Sequence, residues 1–431
     1  MLIEFSVENY RSIKNKITFS MVASRYYKNL SNNLYHTKIL KKDNLLRSSL
    51  IYGPNASGKT NVIHALYVIK NLVIESHNFQ KGTKLYYKPF KLDAQFIGKP
   101  TKFEVIFIYN NIKYKYCISY VEEKIIEEKL YYYPKNKMSI IFERIDTDKF
   151  YFTQDKINQM FIAKRTLDNV LYLSNSTKEK YQKTTEAFNW FKDILFTIGP
   201  ADHPWLMDYT ASLIQKDEKL KKIIMRALEE ADFGIINILS ESKKRTLDDK
   251  DLPKPLKEAF KILTKEIEKM SHTKLTDGFD VTSINTYHRG KDNKVIKFDF
   301  EDEESEGTKR IFSLIGAWVD SLLNGRIIIA DELDTKLHYL LQIFLIGLFN
   351  DPTQNKKNAQ LIFTTHNINL LDQNLFRRDQ IWFTEKDFEN GDTKLFSLSD
   401  FRERNDKDIL KAYRSGRYGA IPFIKTYKVF S

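Results

Sequence analysis

The chain has one cysteine, Cys117, among its 431 residues. A single thiol excludes disulfides within the chain and cysteine-rich zinc sites, and it fits a reducing cytoplasm. Long apolar runs are also missing, because the two longest, residues 311–323 and 340–349, are shorter than the roughly 20 residues of a membrane span. The N-terminus carries acidic residues in an alternating pattern, unlike a secretory signal. We therefore expect a soluble, cytoplasmic protein with no membrane partner.

Sustained heptads and internal repeats are absent as well, which argues against a long coiled-coil arm. The composition, with 42% hydrophobic and 13% aromatic residues, is typical of a globular protein, and the length allows two or three domains. The net charge of +13 leaves two interpretations open. A basic surface could bind DNA or another nucleic acid. Alternatively, the lysines cover solvated faces, since they are largely interleaved with Asp and Glu.

What the chain does contain is a phosphate-binding loop at residues 53–60. Gly53, Gly58, Lys59 and Thr60 occupy the fixed positions of the pattern G-x4-G-K-[ST], after a predicted buried strand and before a predicted helix. In such a loop, backbone N–H groups bind phosphate oxygens, the lysine reaches the β- and γ-phosphates, and the threonine hydroxyl ligates Mg2+. From this segment we assign seven residues to the nucleotide: Gly53, Asn55, Ser57, Gly58, Lys59, Thr60 and Asn61.

Two later apolar runs are predicted to be strands that end in polar residues. The run at 326–330 is followed by Asp331 and Glu332, and parallel α/β sheets bind ligands at the carboxyl edge of their strands. There Asp331 would hold Mg2+ through a water, and Glu332 would act as the general base. The run at 360–365 ends in His366, which could sense the γ-phosphate. The alternative is a strand-end histidine satisfied by the backbone.

The segment Ser305-Glu-Gly307 follows a predicted strand and opens a predicted helix. A hydroxyl, backbone N–H groups and the helix dipole would form a second anion site there. One ATP needs only one phosphate loop, so the second site suggests that each subunit closes the nucleotide of the other. The alternative is an ordinary serine N-cap.

Together these motifs resemble the ABC-type ATPases, in the branch that contains SMC, RecF and the OLD-type nucleases. Residues 53–60 match the Walker A motif, 327–332 the Walker B motif, and 305–310 a divergent signature motif without its second glycine. The resemblance places Asp334 in the D-loop and makes His366 the switch histidine.

The N-terminal segment Asn9-Tyr10-Arg11-Ser12 resembles the opening Asn-Phe-Arg-Ser of that branch. The resemblance implies that Arg11 and Ser12 lie near the nucleotide. The Q-loop glutamine stays unassigned between Gln80 and Gln95.

The implied fold class is α/β, an ABC-type ATPase head with a mixed central sheet, an antiparallel β lobe and a helical insertion. Consecutive antiparallel strands are expected between residues 101 and 153, with a hairpin turn at Asn110-Asn111. Helical spacing is found at 186–195, 213–231 and 256–270. The predicted domains are 1–175 as the N-terminal ATPase lobe, 176–275 as the helical insertion, 276–400 as the C-terminal ATPase lobe, and 401–431 as a basic aromatic tail.

A closer resemblance is to stand-alone bacterial ATPases of abortive-infection and anti-phage systems, of the RloA or AbiL type. It rests on the signature at 305–308, on Asp-Glu-Leu-Asp-x-x-Leu-His at 331–338, and on the tail at 413–422. It implies ATP and Mg2+ as cofactors, a homodimer or higher oligomer, and a separate effector, a nuclease or toxin from an adjacent gene.

We expect no effector domain on this chain. The 65 residues after His366 are too few for the Toprim nuclease of OLD-type proteins. Asp406-Lys-Asp408 is interpreted as a solvated helix start, and the tail as a segment that packs on a lobe or contacts a partner. Two other functions stay open: a RecF-like ATPase of DNA repair or chromosome maintenance, which the basic charge favours, and a scaffold that uses ATP only for assembly.

Overall fold

The computed structural model describes residues 1–199, 203–245, 279–401 and 408–421. The chain divides into two compact units. The first combines Met1–Ala201 with Asp320–Ser431, and the second is Asp202–Val319. Among the described residues, no helix has the length and apolar character needed to cross a bilayer.

The elements of the described residues are numbered in chain order. The strands are β1 (Leu2–Glu8), β2 (Ile17–Ser20), β3 (Leu34–His36), β4 (Asn44–Leu46), β5 (Ser48–Tyr52), β6 (Thr101–Tyr109), β7 (Ile112–Tyr120), β8 (Ile125–Tyr132), β9 (Ser139–Ile145), β10 (Lys149–Tyr151), β11 (Leu195–Ile198), β12 (Ile235–Arg245), β13 (Phe279–Arg289), β14 (Val295–Asp299), β15 (Ile327–Ala330), β16 (Gln360–Thr365), β17 (Ile381–Lys386) and β18 (Thr393–Ser397). The α-helices are α1 (Lys59–Glu75), α2 (Lys156–Lys164), α3 (Tyr172–Lys178), α4 (Gln182–Asn189), α5 (His203–Lys216), α6 (Glu218–Glu230), α7 (Phe300–Glu303), α8 (Glu306–Asn324), α9 (Tyr339–Asn350) and α10 (Ile409–Arg414).

The first unit contains a six-stranded sheet with the strand order β11-β15-β16-β5-β17-β18, and the phosphate loop follows its strand β5. Its first five strands are parallel, and β18 pairs antiparallel with β17. Strands β5, β15 and β16 are buried along their whole length. This burial explains the apolar runs in the sequence, because a parallel sheet is covered on both faces. The carboxyl ends of these three strands meet at one edge.

The other large sheet of the first unit is antiparallel, with the order β10-β9-β8-β7-β6-β1-β2. Asn110 and Asn111 join β6 to β7 with φ values of 44° and 61°, and two positive φ values characterise the tight hairpin turn predicted there. A single buried cluster contains Leu66 of α1, Phe5 of this sheet and Ile362 of the parallel sheet. Helix α1 therefore packs in the core that both sheets share. The predicted mixed sheet and antiparallel lobe are confirmed.

The second unit contains α5, α6 and an antiparallel sheet of β12, β13 and β14. The predicted helical insertion at 176–275 therefore also contains strands. Leu195–Ile198, whose apolar run continues the helical spacing before it, pairs with buried β15 in the central sheet. The helix predicted at 213–231 is two helices, because the Asp217 side chain accepts backbone N–H bonds that start α6. The helix predicted at 256–270 lies outside the described residues.

Candidate nucleotide-binding site

The loop at 53–60 connects β5 to α1 at the carboxyl edge of the parallel sheet. Gly58 is the N-cap of α1 with a φ of 104°, a conformation that glycine adopts without strain. A Cβ atom on Gly58 would overlap the Thr393 side chain, and one on Gly53 would overlap the carbonyl and hydroxyl oxygens of Thr384. Both glycines are therefore required by close contact with β17 and β18.

Lys59 lies buried at the base of this loop and is 5% exposed. Its Nζ donates to the carbonyl oxygens of Gly53 and Pro54, at 2.8 and 3.0 Å. Burial lowers the pKa of the Lys59 ammonium, while the three acids that follow β15 act in the opposite direction. A phosphate oxygen would compete with two neutral carbonyls for this ammonium, and charge-assisted hydrogen bonds are the stronger kind.

The other assigned loop residues differ in exposure. Asn55 and Thr60 present exposed side chains, whereas Ser57 is buried. The Ser57 hydroxyl lies 2.6 Å from the hydroxyl of Thr384. The Ser57 side chain therefore anchors the loop to β17.

Asp331 and Glu332 follow β15 directly and lie at the same sheet edge. Asp331 is 3% exposed, and its N–H donates to Ile198 O at 2.9 Å, which extends the pairing with β11. Thr364 of the neighbouring β16 joins the two acids, because its hydroxyl donates to Asp331 Oδ1 at 2.5 Å and accepts from the Glu332 N–H at 2.7 Å. Glu332 has a φ of 51°, a left-handed backbone that costs about 1–2 kcal/mol and must be held by its surroundings.

His366 lies beside this general-base candidate. Its Nε2 is 4.0 Å from Glu332 Oε1, and both side chains are 38% exposed. The His366 N–H donates to Asp334 Oδ2 at 3.1 Å, and the Tyr52 hydroxyl donates to His366 O at 3.0 Å. The second carboxylate oxygen of Asp334 is buried without a hydrogen-bond partner among the described residues. The histidine backbone is thus fixed while its ring remains accessible.

The described part of the tail packs on this edge of the first unit. The Tyr413 ring lies 5.1 Å from the Tyr52 ring and stacks on Phe383 at 5.7 Å. Burial raises the pKa of Tyr52. Asp408 caps α10 with its side chain, as a helix start does, whereas Asp406 and residues 422–431 lie outside the described residues.

Arg11 and Ser12 also lie beside the loop. Ser12 Oγ accepts from Asn61 Nδ2 at 2.6 Å and lies 2.7 Å from Thr393 Oγ1. Arg11 Nη1 donates to Asn61 Oδ1 at 3.2 Å. Thr393 donates in turn to the Ser57 carbonyl at 3.0 Å. One hydrogen-bonded chain therefore connects the N-terminal segment, the first turn of α1 and β18 around the loop.

A cleft of about 460 Å³ opens beside the loop, a size typical of small-molecule sites, which span roughly 300–1,000 Å³. Its lining includes the cations Arg11, Lys88 and Lys386 and the ring of Tyr86. Arg11 Nη2 donates to the Tyr86 hydroxyl at 2.6 Å and lies 3.4 Å from His64 Nε2. Burial lowers the pKa of His64 to about 4, and Arg11 acts in the same direction. The neutral imidazole can therefore accept a hydrogen bond from Arg11 at neutral pH.

Ser305 and Gly307 lie at the start of α8, in the second unit. Ser305 is exposed, and its hydroxyl accepts from the Thr308 N–H at 3.1 Å. The side chain of the preceding residue, Glu304, contacts His288, with 2.7 Å between Glu304 Oε1 and His288 Nε2. Ser305 therefore has the geometry of an ordinary serine N-cap, which was the alternative interpretation of this segment. Its side chain is exposed to solvent at the start of α8.

Thr60 and Asp331 are the residues predicted to hold Mg2+. Thr60 offers an exposed hydroxyl from the first turn of α1, and Asp331 offers a carboxylate at the end of β15. Within the described ranges, no group of three or more His, Cys, Asp or Glu could hold a metal ion by itself. Mg2+ commonly binds through one or two carboxylates, several waters and substrate phosphates, so these oxygen donors fit it.

Sequence reasoning missed three threonines that contact the site: Thr364, Thr384 and Thr393. Thr364 stands two positions before His366 in a predicted strand, a position that could have indicated it. Thr384 and Thr393 contact Ser57 although they lie 327 and 336 positions after it in the sequence. No local pattern marks such contacts, because only the sheet topology brings them to the loop.

The two Q-loop candidates lie in turns of the first unit. The Gln80 N–H donates to Thr83 Oγ1 at 3.2 Å, and Gln95 lies in a short 3-10 helix capped by Asp93. Both glutamines are exposed. Their surroundings assign neither of them to the nucleotide.

Comparison with known proteins identifies the family. Residues 48–372, more than half of the chain, match the family described as "AAA domain, putative AbiEii toxin, Type IV TA system". No curated protein matches the chain. Among solved structures, the SMC head domain from Thermotoga maritima is similar with a TM-score of 0.40 and 13% identity, over 92% of this chain and 98% of that one. An SMC head bound to the C-winged helix domain of ScpA has a TM-score of 0.41 and 12% identity, over 92% and 97%. The chain belongs to the matched AAA family of P-loop ATPases, and it has the mixed α/β architecture with an antiparallel lobe that the sequence predicts.

Proposed function

We propose that the protein binds and hydrolyses ATP as a nucleotide-gated homodimer. ATP held by Lys59, Thr60 and Asp331 of one subunit would be closed by Ser305 and Gly307 of a second copy. The observation that carries the proposal is the meeting of β5, β15 and β16 at one carboxyl edge. Their ends bring the loop at 53–60 together with Asp331, Glu332 and His366, which supports the proposed roles of metal ligand, general base and γ-phosphate sensor in phosphoryl transfer.

In the proposed reaction, a water oxygen bonds to the γ-phosphorus, and the bond between this phosphorus and the β,γ-bridging oxygen breaks. The bridging oxygen leaves as part of ADP. Glu332 would orient the water and accept its proton, since its carboxylate is accessible and sits on a fixed backbone. His366, 4.0 Å from that carboxylate, would contact the γ-phosphate and respond to its loss. Mg2+ would neutralise charge on the phosphates. Lys59 and the N-terminus of α1 would do the same with their own positive charge.

In the cell, we propose that this ATPase is the cytoplasmic sensor or motor subunit of an anti-phage defence complex. It would control a separate effector, a nuclease or toxin. The family description, which names an "AbiEii toxin" and a "Type IV TA system", supports a defence role, and so does the resemblance to the RloA or AbiL type. The net charge of +13 favours the RecF-like alternative, in which DNA is the partner.

The variant Glu332→Gln tests the core of the proposal. The amide keeps the size of the side chain but cannot accept the proton, so we expect ATP binding to persist and turnover to fall about 10²- to 10⁴-fold. Light scattering with ATP should then detect a trapped dimer. Adding the exposed substitution Ser305→Arg to this variant should preserve ATP binding and abolish the dimer.

Three results would contradict parts of this scheme. Turnover of Glu332→Gln at the wild-type rate would refute the general-base role. A dimer that forms equally without ATP would refute nucleotide gating. Turnover that rises severalfold when duplex DNA is added to the isolated protein would support the RecF-like function instead of the defence role.

A further inference from the structure

Helix α2 has apolar side chains on two faces. Its inner face buries Ile162 and Ala163 together with one polar residue, Gln159, which is 1% exposed. Its outer face is apolar as well. Ile157 is 91% exposed, Phe161 57% and Met160 39%. Surface helices normally bury apolar side chains and expose polar ones. Apolar side chains at positions i, i+3 and i+4 are the pattern by which a helix inserts into a groove of a partner protein.

The orientation of α2 is fixed by a polar network. Gln159 Nε2 donates to the backbone oxygens of Gln154, at 2.8 Å, and Ile141, at 3.4 Å. Gln159 Oε1 accepts from the Tyr172 hydroxyl at 3.2 Å. Turning the apolar face inward would remove a buried amide from these partners, which is unfavourable. The outward position of Ile157 is therefore a stable feature of the fold.

Positive charge surrounds the apolar face. Lys156, Lys164 and Arg165 are exposed at the two ends of the helix. The nearby acids, Asp155 and Glu179, each form an ion pair with a cation, at 3.0 and 3.7 Å. The cation paired with Asp155 is Lys183, and the one paired with Glu179 is Arg165. These four charges cancel, so Lys156 and Lys164 leave the rim with a net positive charge.

A groove runs beside the apolar side chains, with a volume of about 600 Å³. Its lining includes Ile157, Phe161 and Tyr181. The Arg165 guanidinium lies 5.1 Å from the centre of the Phe161 ring, which orients the ring and adds charge to its edge. The face thus combines an apolar centre with a charged rim, the usual anatomy of a protein interface.

We propose that this face of α2 binds a protein partner that presents an apolar pocket bordered by Asp and Glu. The α2 docking face consists of the basic rim and three apolar side chains, Ile157, Met160 and Phe161. The choice of partner rests on the proposed function: the partner is the separate effector subunit. A second copy fits poorly, because a symmetric contact sets the same patch against itself and would oppose like charges. Nucleic acid fits poorly as well, because base stacking needs aromatic rings and two of the three side chains are aliphatic.

The experiment uses the purified product of the gene adjacent to this one, with the full-length chain immobilised for interferometry. We expect the double variant Ile157→Asp/Phe161→Asp to bind this product at least 30-fold more weakly than wild type, as expected for hot-spot residues. The matched control is Met138→Asp, a residue 60% exposed in the same unit but outside α2. Its affinity should stay within twofold of wild type.

Two measurements separate docking from folding and from ATP hydrolysis. The melting temperature and basal ATPase rate of the double variant should equal those of wild type, since its side chains are exposed. The pair Lys164→Glu/Arg165→Glu should slow association and reduce its salt dependence.

Each other outcome overturns the inference in a different way. Unchanged affinity of the double variant means that the effector binds elsewhere, with the proposed function intact. Absence of any complex with wild type overturns both the docking partner and the effector part of the proposed function. Loss of self-association, or of binding to a single-stranded DNA 20-mer, in the double variant would assign the face to a second copy or to nucleic acid.

Discussion

Thr364 offers the sharpest test of how the site is held together. The substitution Thr364→Val replaces its hydroxyl with a methyl group and keeps the shape of the side chain. That hydroxyl donates to Asp331 at 2.5 Å and accepts from the Glu332 N–H at 2.7 Å. The residue is fully buried. The valine variant therefore breaks both bonds without opening a cavity.

These two hydrogen bonds determine how much stability the valine variant should lose. A hydrogen bond to a charged acceptor contributes about 1.5–3 kcal/mol, and an unsatisfied N–H costs about 1–3 kcal/mol when buried. Glu332 is partly exposed, so water offsets some of the second cost. We expect a loss of about 3 kcal/mol in the free energy of unfolding, a large part of the total for a domain. Because Glu332 also loses the bond that fixes its left-handed backbone, turnover should fall about 10- to 100-fold.

The assay is urea unfolding combined with steady-state ATPase measurement. Thr364→Ser is the control, because it keeps the hydroxyl and loses only a methyl group, at about 1 kcal/mol. Its turnover should stay near that of wild type. Equal unfolding free energies and equal turnover for the Val and Ser variants would refute the idea that this hydroxyl joins the two acids.

Two further predictions concern the loop and its neighbours. Gly58→Ala should abolish binding of a fluorescent ATP analogue, because its Cβ would overlap Thr393. Gly98→Ala, at a similar φ of 86° with open space around its Cβ, should cost about 1–2 kcal/mol of stability and leave binding unchanged. His64 has a folded pKa of about 4 against 6.5 when unfolded, so its stabilising contribution is complete above pH 6.5 and is lost as pH falls towards 4. The free energy of unfolding, measured with urea, should fall between pH 7 and pH 4.5, and the fall should be about 1–2 kcal/mol smaller for His64→Gln than for wild type, after allowing for solvent screening. An equal fall for both proteins would contradict this prediction.

The features that could be predicted from the sequence are those in which a short segment carries its own geometric requirement. Gly58 must adopt a φ of 104° at the start of α1, and Asn110 and Asn111 adopt positive φ values in a two-residue turn. Few residue types meet such requirements, so they leave a readable pattern. The apolar runs of β15 and β16 are readable for a similar reason, since both faces of the central sheet are covered.

The features that could not be predicted depend on pairing between distant segments. Leu195–Ile198 has the composition of the helical region around it and becomes a strand only because β15 is available beside it. Thr384 and Thr393 shape the loop through contacts that no spacing rule connects to residues 53–60. Tertiary context decides both cases, and a single sequence does not display it.

Strand order also explains why the site needs β16. This strand lies between β5 and β15, so the strand before the phosphate loop and the strand before the two acids are not neighbours. β16 ends between them and contacts both acids, since Thr364 bonds to Asp331 and His366 lies beside Glu332. Tyr52, at the end of β5, bonds to the His366 backbone from the other side. If His366 senses the γ-phosphate as proposed, a movement of this residue would also shift the end of β16, where the Thr364 hydroxyl contacts both acids. For this reason we expect substitutions on β16 to alter binding and hydrolysis together, whereas substitutions on β17 should act mainly on the loop.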